Sequence, residues 1–209
     1  MADILLDEQG FPSTPSAGQG LWWHDSSNSR PCYRDDSGIY YGGITKAITA
    51  QIASHSADTY YGLGLQLPSF SMQAGMSFVW EFEVSKGAAG TTAPIYQLRI
   101  GAAQAVADTS RLSLTGPAQT AAADTAIVIV SATCRNVGAA AVLRGSVWLQ
   151  HNLAATGFAN TGPAGFAFVA GSSAGFDNTA LQGQYIGLSV NPGTSGAWVV
   201  ERATATMTY

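Results

Sequence analysis

The sequence predicts an all-β protein: an antiparallel jelly-roll sandwich preceded by an extended N-terminal arm that carries a short β-hairpin. Three observations predict it. The first is the stretch 125–150, TAIVIVSATCRNVGAAAVLRGSVWLQ, two long apolar runs joined through Asn136, Val137 and Gly138. Val128, Val130, Ala132 and Cys134 share one face of the first run, and Ile127, Ile129, Ser131, Thr133 and Arg135 share the other. Leu143, Gly145, Val147 and Leu149 oppose Val142, Arg144, Ser146 and Trp148 in the second, so both runs keep the two-residue period of a strand. They read as a β-hairpin at the centre of a sheet. The second observation is that short strands separated by turn signals recur from Gly43 onward. The third is that no window offers a helix. The Ala-rich run 118–126 follows Gly116 and Pro117 and leads into a strand, which leaves room for one turn at most. Many antiparallel strands closed by a C-terminal strand point to a jelly roll. An immunoglobulin-like sandwich is the competitor, but its Cys, Trp, Cys spacing is absent.

In chain order, residues 1–42 form the arm and 43–209 the jelly roll. The arm holds Trp22 and Trp23, three of the eight prolines and the turn-rich run DSSNSRPCYRDDSG. Ile4 to Leu6 reads as extended, and Gly10 to Gly20 as a linker in which Pro disfavours helix and Gly supplies bends. Leu21 to Asp25 and Pro31 to Arg34 are short strands around a Ser-Ser-Asn-Ser turn. Asp35 to Gly38 turn again, and Ile39 to Tyr41 enter the main domain. So short and aromatic a segment cannot enclose its own core and needs another surface. In the main domain the expected strands are Ile44 to Ala53, Thr59 to Leu67, Met76 to Ser85, Pro94 to Gly101 and Ser110 to Thr115. The central hairpin follows, then Gly165 to Ala170, Gln184 to Val190 and Ala197 to Met207. Met76, Phe78, Trp80, Phe82 and Val84 alternate with Ser77, Val79, Glu81, Glu83 and Ser85, which marks a half-buried antiparallel strand. Arg202, Thr204, Thr206 and Thr208 form the polar side of the last one.

Composition narrows the function. Charged residues make up 11% of the 209, against a usual share of about 25%, while Gly numbers 24 and hydrophobics reach 46%. Five Trp, eight Tyr and eight Phe argue against disorder. A surface made polar by Ser, Thr, Gln and Asn suits a protein that packs on copies of itself or on partner chains, where each buried charge needs pairing. A net charge of -4 supplies no basic patch, so nucleic acid is not expected as a partner. No apolar run reaches the ~18 residues of a transmembrane helix, and no membrane association is expected. MADILLDEQG places acids where a signal peptide has its basic region, so synthesis in a cytoplasm is expected, with Cys32 and Cys134 reduced.

No catalytic residue, metal ligand or cofactor is assigned. Gly171 to Gly175 satisfies the G-x-S-x-G pattern of a nucleophile elbow, yet the residues after it offer a turn where the elbow needs a helix, and a loop is the better reading. His24, His55 and His151 lack the local pairing typical of zinc sites. Asp35 and Asp36 belong to a turn more economically than to a calcium loop. Glu81 and Glu83 point the same way about 7 Å apart, a spacing a glycosidase could use, but a solvated strand face explains them. Trp22 and Trp23, Tyr40 and Tyr41, and Tyr60 and Tyr61 are adjacent pairs in which one member can be buried and the other presented outward. Such aromatics serve as sugar platforms or inter-subunit contacts, and the interface is preferred because the first four sit in the arm. The candidate attachment residues are Leu5, Leu6, Phe11, Pro12, Trp22 and Trp23, with Tyr33, Tyr40 and Tyr41.

Two groups of stretches carry a resemblance. Residues 14–25, TPSAGQGLWWHD, continuing to YRDDSG at 33–38, resemble a short hairpin motif of bacteriophage tail and head fibres, with its T-P-x-x-G opening and D-x-G close. Residues 66–84, QLPSFSMQAGMSFVWEFEV, together with YQLRIG at 96–101 and CRNVGAAAV at 134–142, are similar to a trimeric jelly-roll domain of such fibres and of capsid-decorating proteins. The resemblance implies a structural role in a virion, a homotrimer, no cofactor, and attachment through the arm to the major capsid protein or another virion protein. The chain lacks the repetitive shaft of a long tail fibre. That favours a capsid decoration or cement protein, or a short head fibre, over a tail or baseplate component. A glycan-binding, receptor-recognising tip is the alternative. There the loops 152–163 and 171–179, with Phe158 or Phe176, would meet a host surface glycan.

Overall fold

The computed structural model describes residues 8–9, 16–17, 19–25, 30–35, 40–41, 43–68, 71–153, 156–159, 165–193 and 197–208, and within 8–9, 23–25, 30–35, 40–41 and 43–44 it describes the backbone only. Four short strands come first: β1 (Glu8–Gln9), β2 (Gly20–Asp25), β3 (Arg30–Asp35) and β4 (Tyr40–Tyr41). They form a small sheet in the order β1-β2-β3-β4, with β1 parallel to β2 and the other pairs antiparallel. The expected hairpin of the arm is therefore present as β2 and β3, and the turn between them lies outside the described residues.

Among the described residues, twelve strands build the sandwich. They are β5 (Gly43–Ala47), β6 (Ile52–His55), β7 (Thr59–Tyr60), β8 (Leu65–Gln66), β9 (Ser77–Lys86) and β10 (Ile95–Gly101), followed by β11 (Thr109–Thr115), β12 (Asp124–Asn136), β13 (Val142–His151), β14 (Phe166–Ser172), β15 (Tyr185–Asn191) and β16 (Trp198–Thr208). One sheet runs β14-β13-β12-β9-β16-β5, with β6 also on β16; the other runs β11-β10-β15-β7, with β8 also on β15. All these pairs are antiparallel, and the described residues contain no helix. The architecture is the expected all-β, jelly-roll-like sandwich.

Alternation decides what lies between the sheets. Phe78, Trp80, Phe82 and Val84 of β9, Val128, Val130 and Cys134 of β12, and Leu143, Val147 and Leu149 of β13 are buried. They face Tyr96, Leu98 and Ile100 of β10, Leu112 and Leu114 of β11, and Ile186, Leu188 and Val190 of β15 in one core. Burial pushes the Cys134 thiol up to about 11. Since the thiolate is the reactive species, Cys134 is expected to resist a disulfide reagent at pH 8 in the folded protein and to react on unfolding, as a thiol titration with and without denaturant would read.

Two expected strands are each divided. Ile44 to Ala53 becomes β5 and β6, which both pair with β16 and are separated by a bend at Thr49 and Ala50. Against β9, Val200 pairs with Val84 and Arg202 with Glu83, so Glu201 is an extra residue, a β-bulge; against β5 and β6 the surplus lies in the partner, with Val200 opposite Ile52 and Thr204 opposite Ala47, and the bend takes it up. Thr59 to Leu67 becomes β7 and β8. Between them Gly62 adopts φ +69°, a backbone that side-chain-bearing residues rarely take, and the chain turns so that Leu63 and Leu65 both reach the core. The Lys46 ammonium and the Trp80 indole hold this turn by donating to the Gly64 and Leu63 carbonyls at 2.6 and 3.3 Å.

Candidate functional site

The outer faces of the two sheets differ. That of the five-stranded sheet carries a polar network in which Arg99 donates to Asp58 Oδ2 at 2.6 Å, Ser189 Oγ at 2.7 Å and the Asp108 carbonyl at 2.8 Å. The seven-stranded sheet is open. Strand pairing there turns the alternation of each strand into rows: Phe168, Trp148, Ile129, Glu81 and Thr204 stand in one register from β14 to β16, and Phe166, Gln150, Ile127, Glu83 and Arg202 in the next. The Trp148 ring lies 5.1 Å from both Phe166 and Phe168, at 70° to each. Trp148 is 48% exposed, Phe168 51% and Ile127 43%. Large apolar side chains gathered on one exposed face mark a contact surface.

Beside these rings the face hollows into a cleft of about 450 Å³, whose lining includes Glu83, Ser85, Thr125, Gln150, Asn152 and Glu201, with His151 at its base. Their positions are held. Arg202 Nη2 donates to Glu83 Oε1 at 2.7 Å and lies 3.7 Å from Glu81 Oε1. Ser85 Oγ donates to Glu201 Oε1 at 2.9 Å, Gln51 Nε2 donates to Glu201 Oε2, and Asn152 Nδ2 donates to Thr125 Oγ1 at 2.7 Å. These groups are half exposed, so the ion pairs orient side chains more than they stabilise the fold.

A buried network braces the end of the sheet below the cleft. Asp124 Oδ2 accepts from His151 Nδ1 at 2.7 Å and from the Phe158 amide at 3.2 Å, and Oδ1 accepts from the Thr125 amide at 2.8 Å. Lys86 Nζ donates to the carbonyls of Thr120 and Ala122 at 2.7 and 2.9 Å. Burial holds its pKa below the ordinary lysine range, and the Asp124 carboxylate opposes that shift. Gly157 arches over the carboxylate with φ +82°, and a Cβ there would stand 2.0 Å from Asp124 Oδ2. Only glycine lets the loop pass so close.

No family model matches the chain, and no curated protein matches its sequence. Among solved structures it is similar to peanut lectin with a nine-residue peptide, at 9% identity and a TM-score of 0.35 over 80% of this chain and 98% of that one. The likeness is one of fold.

Of the expected attachment residues, Leu5, Leu6, Phe11 and Pro12 lie outside the described residues. Trp22 is 62% exposed on β2, Trp23 follows it on the same strand, Tyr33 lies on β3, and Tyr40 and Tyr41 form β4. Register aligns Trp22 with Tyr33 and Tyr33 with Tyr41. In the third aromatic pair Tyr61 is buried and Tyr60 half buried. The loop aromatics Phe158 and Phe176 are corrected: both are buried, Phe158 against Trp198 with centroids 5.0 Å apart, and Phe176 under the Arg111 guanidinium at 5.0 Å, so neither meets a ligand. In the elbow-like run no helix follows β14, and Ser173 Oγ accepts the Leu143 amide at 3.0 Å, as a loop would have it. His55 lies within 3.4 Å of the Tyr61 hydroxyl while His151 binds Asp124, and no group of three possible metal ligands gathers among the described residues. Sequence reasoning missed the Trp148 and Phe168 face. Its signal was present: Trp148 falls on the polar side of its run with Arg144 and Ser146, where a large aromatic has no core to fill.

Proposed function

We propose that the chain is a structural protein of a tailed-bacteriophage virion, a capsid decoration or cement protein or a short head fibre. In this reading residues 1–42 attach, and the sandwich of 43–209 trimerises and projects outward. The observation that carries it is the separateness of the small sheet: among the described residues β1 to β4 pair only with one another, and neither sheet of the sandwich takes a strand from them. A segment rich in Trp and Tyr that contributes no strand to the main core is suited to burial against a different surface. Threefold association would turn weak individual contacts into firm attachment. The role is adhesive rather than catalytic. Glu81 and Glu83 share one arginine, and Ser173 is occupied by a backbone amide.

The test is co-sedimentation of the full chain with capsids stripped of it, with its mass measured by light scattering. A trimer that pellets with capsids, and a Trp22→Ser, Trp23→Ser variant that stays trimeric in the supernatant, is the expected pair of results. Failure to pellet with capsids sinks the decoration reading. The open face of the seven-stranded sheet favours a second reading, a glycan-binding tip, because its exposed rings adjoin a cleft of amide and carboxylate groups.

A further inference from the structure

We propose that the outer face of β14, β13, β12 and β9 is a saccharide site that takes a neutral pyranose oligosaccharide, stacked on Trp148 and Phe168 and hydrogen-bonded in the adjoining cleft. The inference deepens the glycan-binding reading and rests on it, and it is independent of which virion surface the arm engages. A pyranose ring has one face of C–H groups and an edge of hydroxyls. A matching site needs an exposed aromatic face and, within one or two ring lengths, planar side chains that both donate and accept.

The face meets each requirement. Trp148 and Phe168 are half exposed and belong to neighbouring strands, and Phe166 and Phe168 each stand at 70° to Trp148 with centroids 5.1 Å apart, so the indole is held by its neighbours and the two exposed rings would meet successive sugar units rather than one. Gln150 stands two residues along β13 from Trp148 and faces the same way, between Phe166 and Ile127. Asn152 and Glu83 complete the polar rim. From Phe168 on β14 to Glu81 on β9 the register crosses four strands, about 15 Å at the usual strand spacing of ~4.8 Å, which suits a short oligosaccharide better than one ring.

Area and charge select this occupant over others. Rings of this type present about 150–250 Å² when fully exposed, so the half-exposed Trp148 and Phe168 with Ile127 offer on the order of 300 Å². A stable protein interface takes ~800 Å² from each partner, of which somewhat over half, about 450 Å², is apolar, so the patch is small for a second copy of this chain and adequate for a sugar. At the cleft end of this face Glu81 and Glu83 share the guanidinium of Arg202, and Glu201, held by Ser85 and Gln51, adds a third carboxylate, while Arg144 lies four residues along β13 from Trp148 at the far end. A uronic or sialic acid would meet net repulsion there, and a neutral sugar would not.

The full chain should be titrated calorimetrically, and by tryptophan fluorescence, with cellohexaose, mannohexaose, chitohexaose and hexagalacturonate. At least one neutral hexaose is expected to bind in the micromolar-to-millimolar range and hexagalacturonate not to bind. Trp148→Ala should weaken binding about tenfold and abolish the fluorescence change. Gln150→Ala should weaken it about threefold through one lost hydrogen bond, with melting temperatures unchanged in both variants. A neutral hexaose held equally well by both variants would overturn this site while leaving glycan binding standing. Preference for hexagalacturonate would overturn the neutral class, and binding of none of the four would overturn site and reading together.

Discussion

Replacing Trp198 with alanine is expected to destabilise the protein by about 3–5 kcal/mol, read as a lower denaturant midpoint with an unchanged slope. Trp198 is 0% exposed at the start of β16. Its ring stands edge-on to Phe158 with centroids 5.0 Å apart and tilted against Tyr96 at 6.3 Å, so it joins a loop, one sheet and the other. Alanine removes the largest of these side chains from a packed interior, and the neighbours can close only part of the space. A polar cost is added. Trp198 Nε1 donates to Gln119 Oε1 at 3.0 Å, while Gln119 Nε2 donates to the carbonyls of Thr92 and Pro192 at 2.8 and 2.9 Å. Without the indole this amide keeps its donors engaged and loses the partner of its buried acceptor. Trp198→Phe separates the two effects. It retains most of the packing and should cost about 1–3 kcal/mol, much of it from the stranded acceptor. Equal losses for alanine and phenylalanine would show that the hydrogen bond dominates.

The second large effect is expected at Asp124. Its replacement by alanine should cost about 3–5 kcal/mol, because one carboxylate serves three donors and the partner left behind is a buried histidine. The amides of Thr125 and Phe158 lose their acceptor in the same step, each a penalty of about 1–3 kcal/mol if water does not reach it. Asp124→Asn keeps an acceptor in place and should lose less than alanine. The damage should also be local. Hydrogen exchange is expected to quicken in 116–124 and 156–159, which the network ties together through Thr120 and Gly157, before it quickens in β12. Uniform acceleration across the sandwich would contradict that assignment.

Legibility varied with the physics that each feature depends on. Alternation in 77–86 and 124–136 is a local property: it separates Phe78, Trp80, Phe82 and Val84 from their polar neighbours and puts Val128, Val130, Ala132 and Cys134 on one face, which the structure shows to be the core side. The division of Ile44 to Ala53 was hidden because it depends on the register with β16, about 150 positions away in sequence. Phe158 and Phe176 look like loop aromatics in the sequence because segment polarity says nothing of a loop folding back over the core. The site was legible one residue at a time and not as a whole. Trp148 could be recognised as facing outward, but its meeting with Phe166, Phe168 and Ile129 depends on a register that only the paired strands define. The network of Asp124, His151 and Lys86 is likewise a product of where β9, β12 and β13 end, and no spacing in the chain announces it.

The bulge at Glu201 sets the parity of the C-terminal strand. Before it the even-numbered Trp198 and Val200 face the core; after it the odd-numbered Ala203, Ala205 and Met207 do. One surplus residue lets a single strand read in two phases and be buried in both. Glu201 is exposed, and its side chain could be exchanged for many others with little strain on the fold. Its presence as a unit of length is another matter: a chain shortened by that one position would turn either the tryptophan end or the methionine end of β16 toward water. In this strand spacing carries information that side-chain identity does not, so a lineage that changes the letter at this position should still hold its count constant.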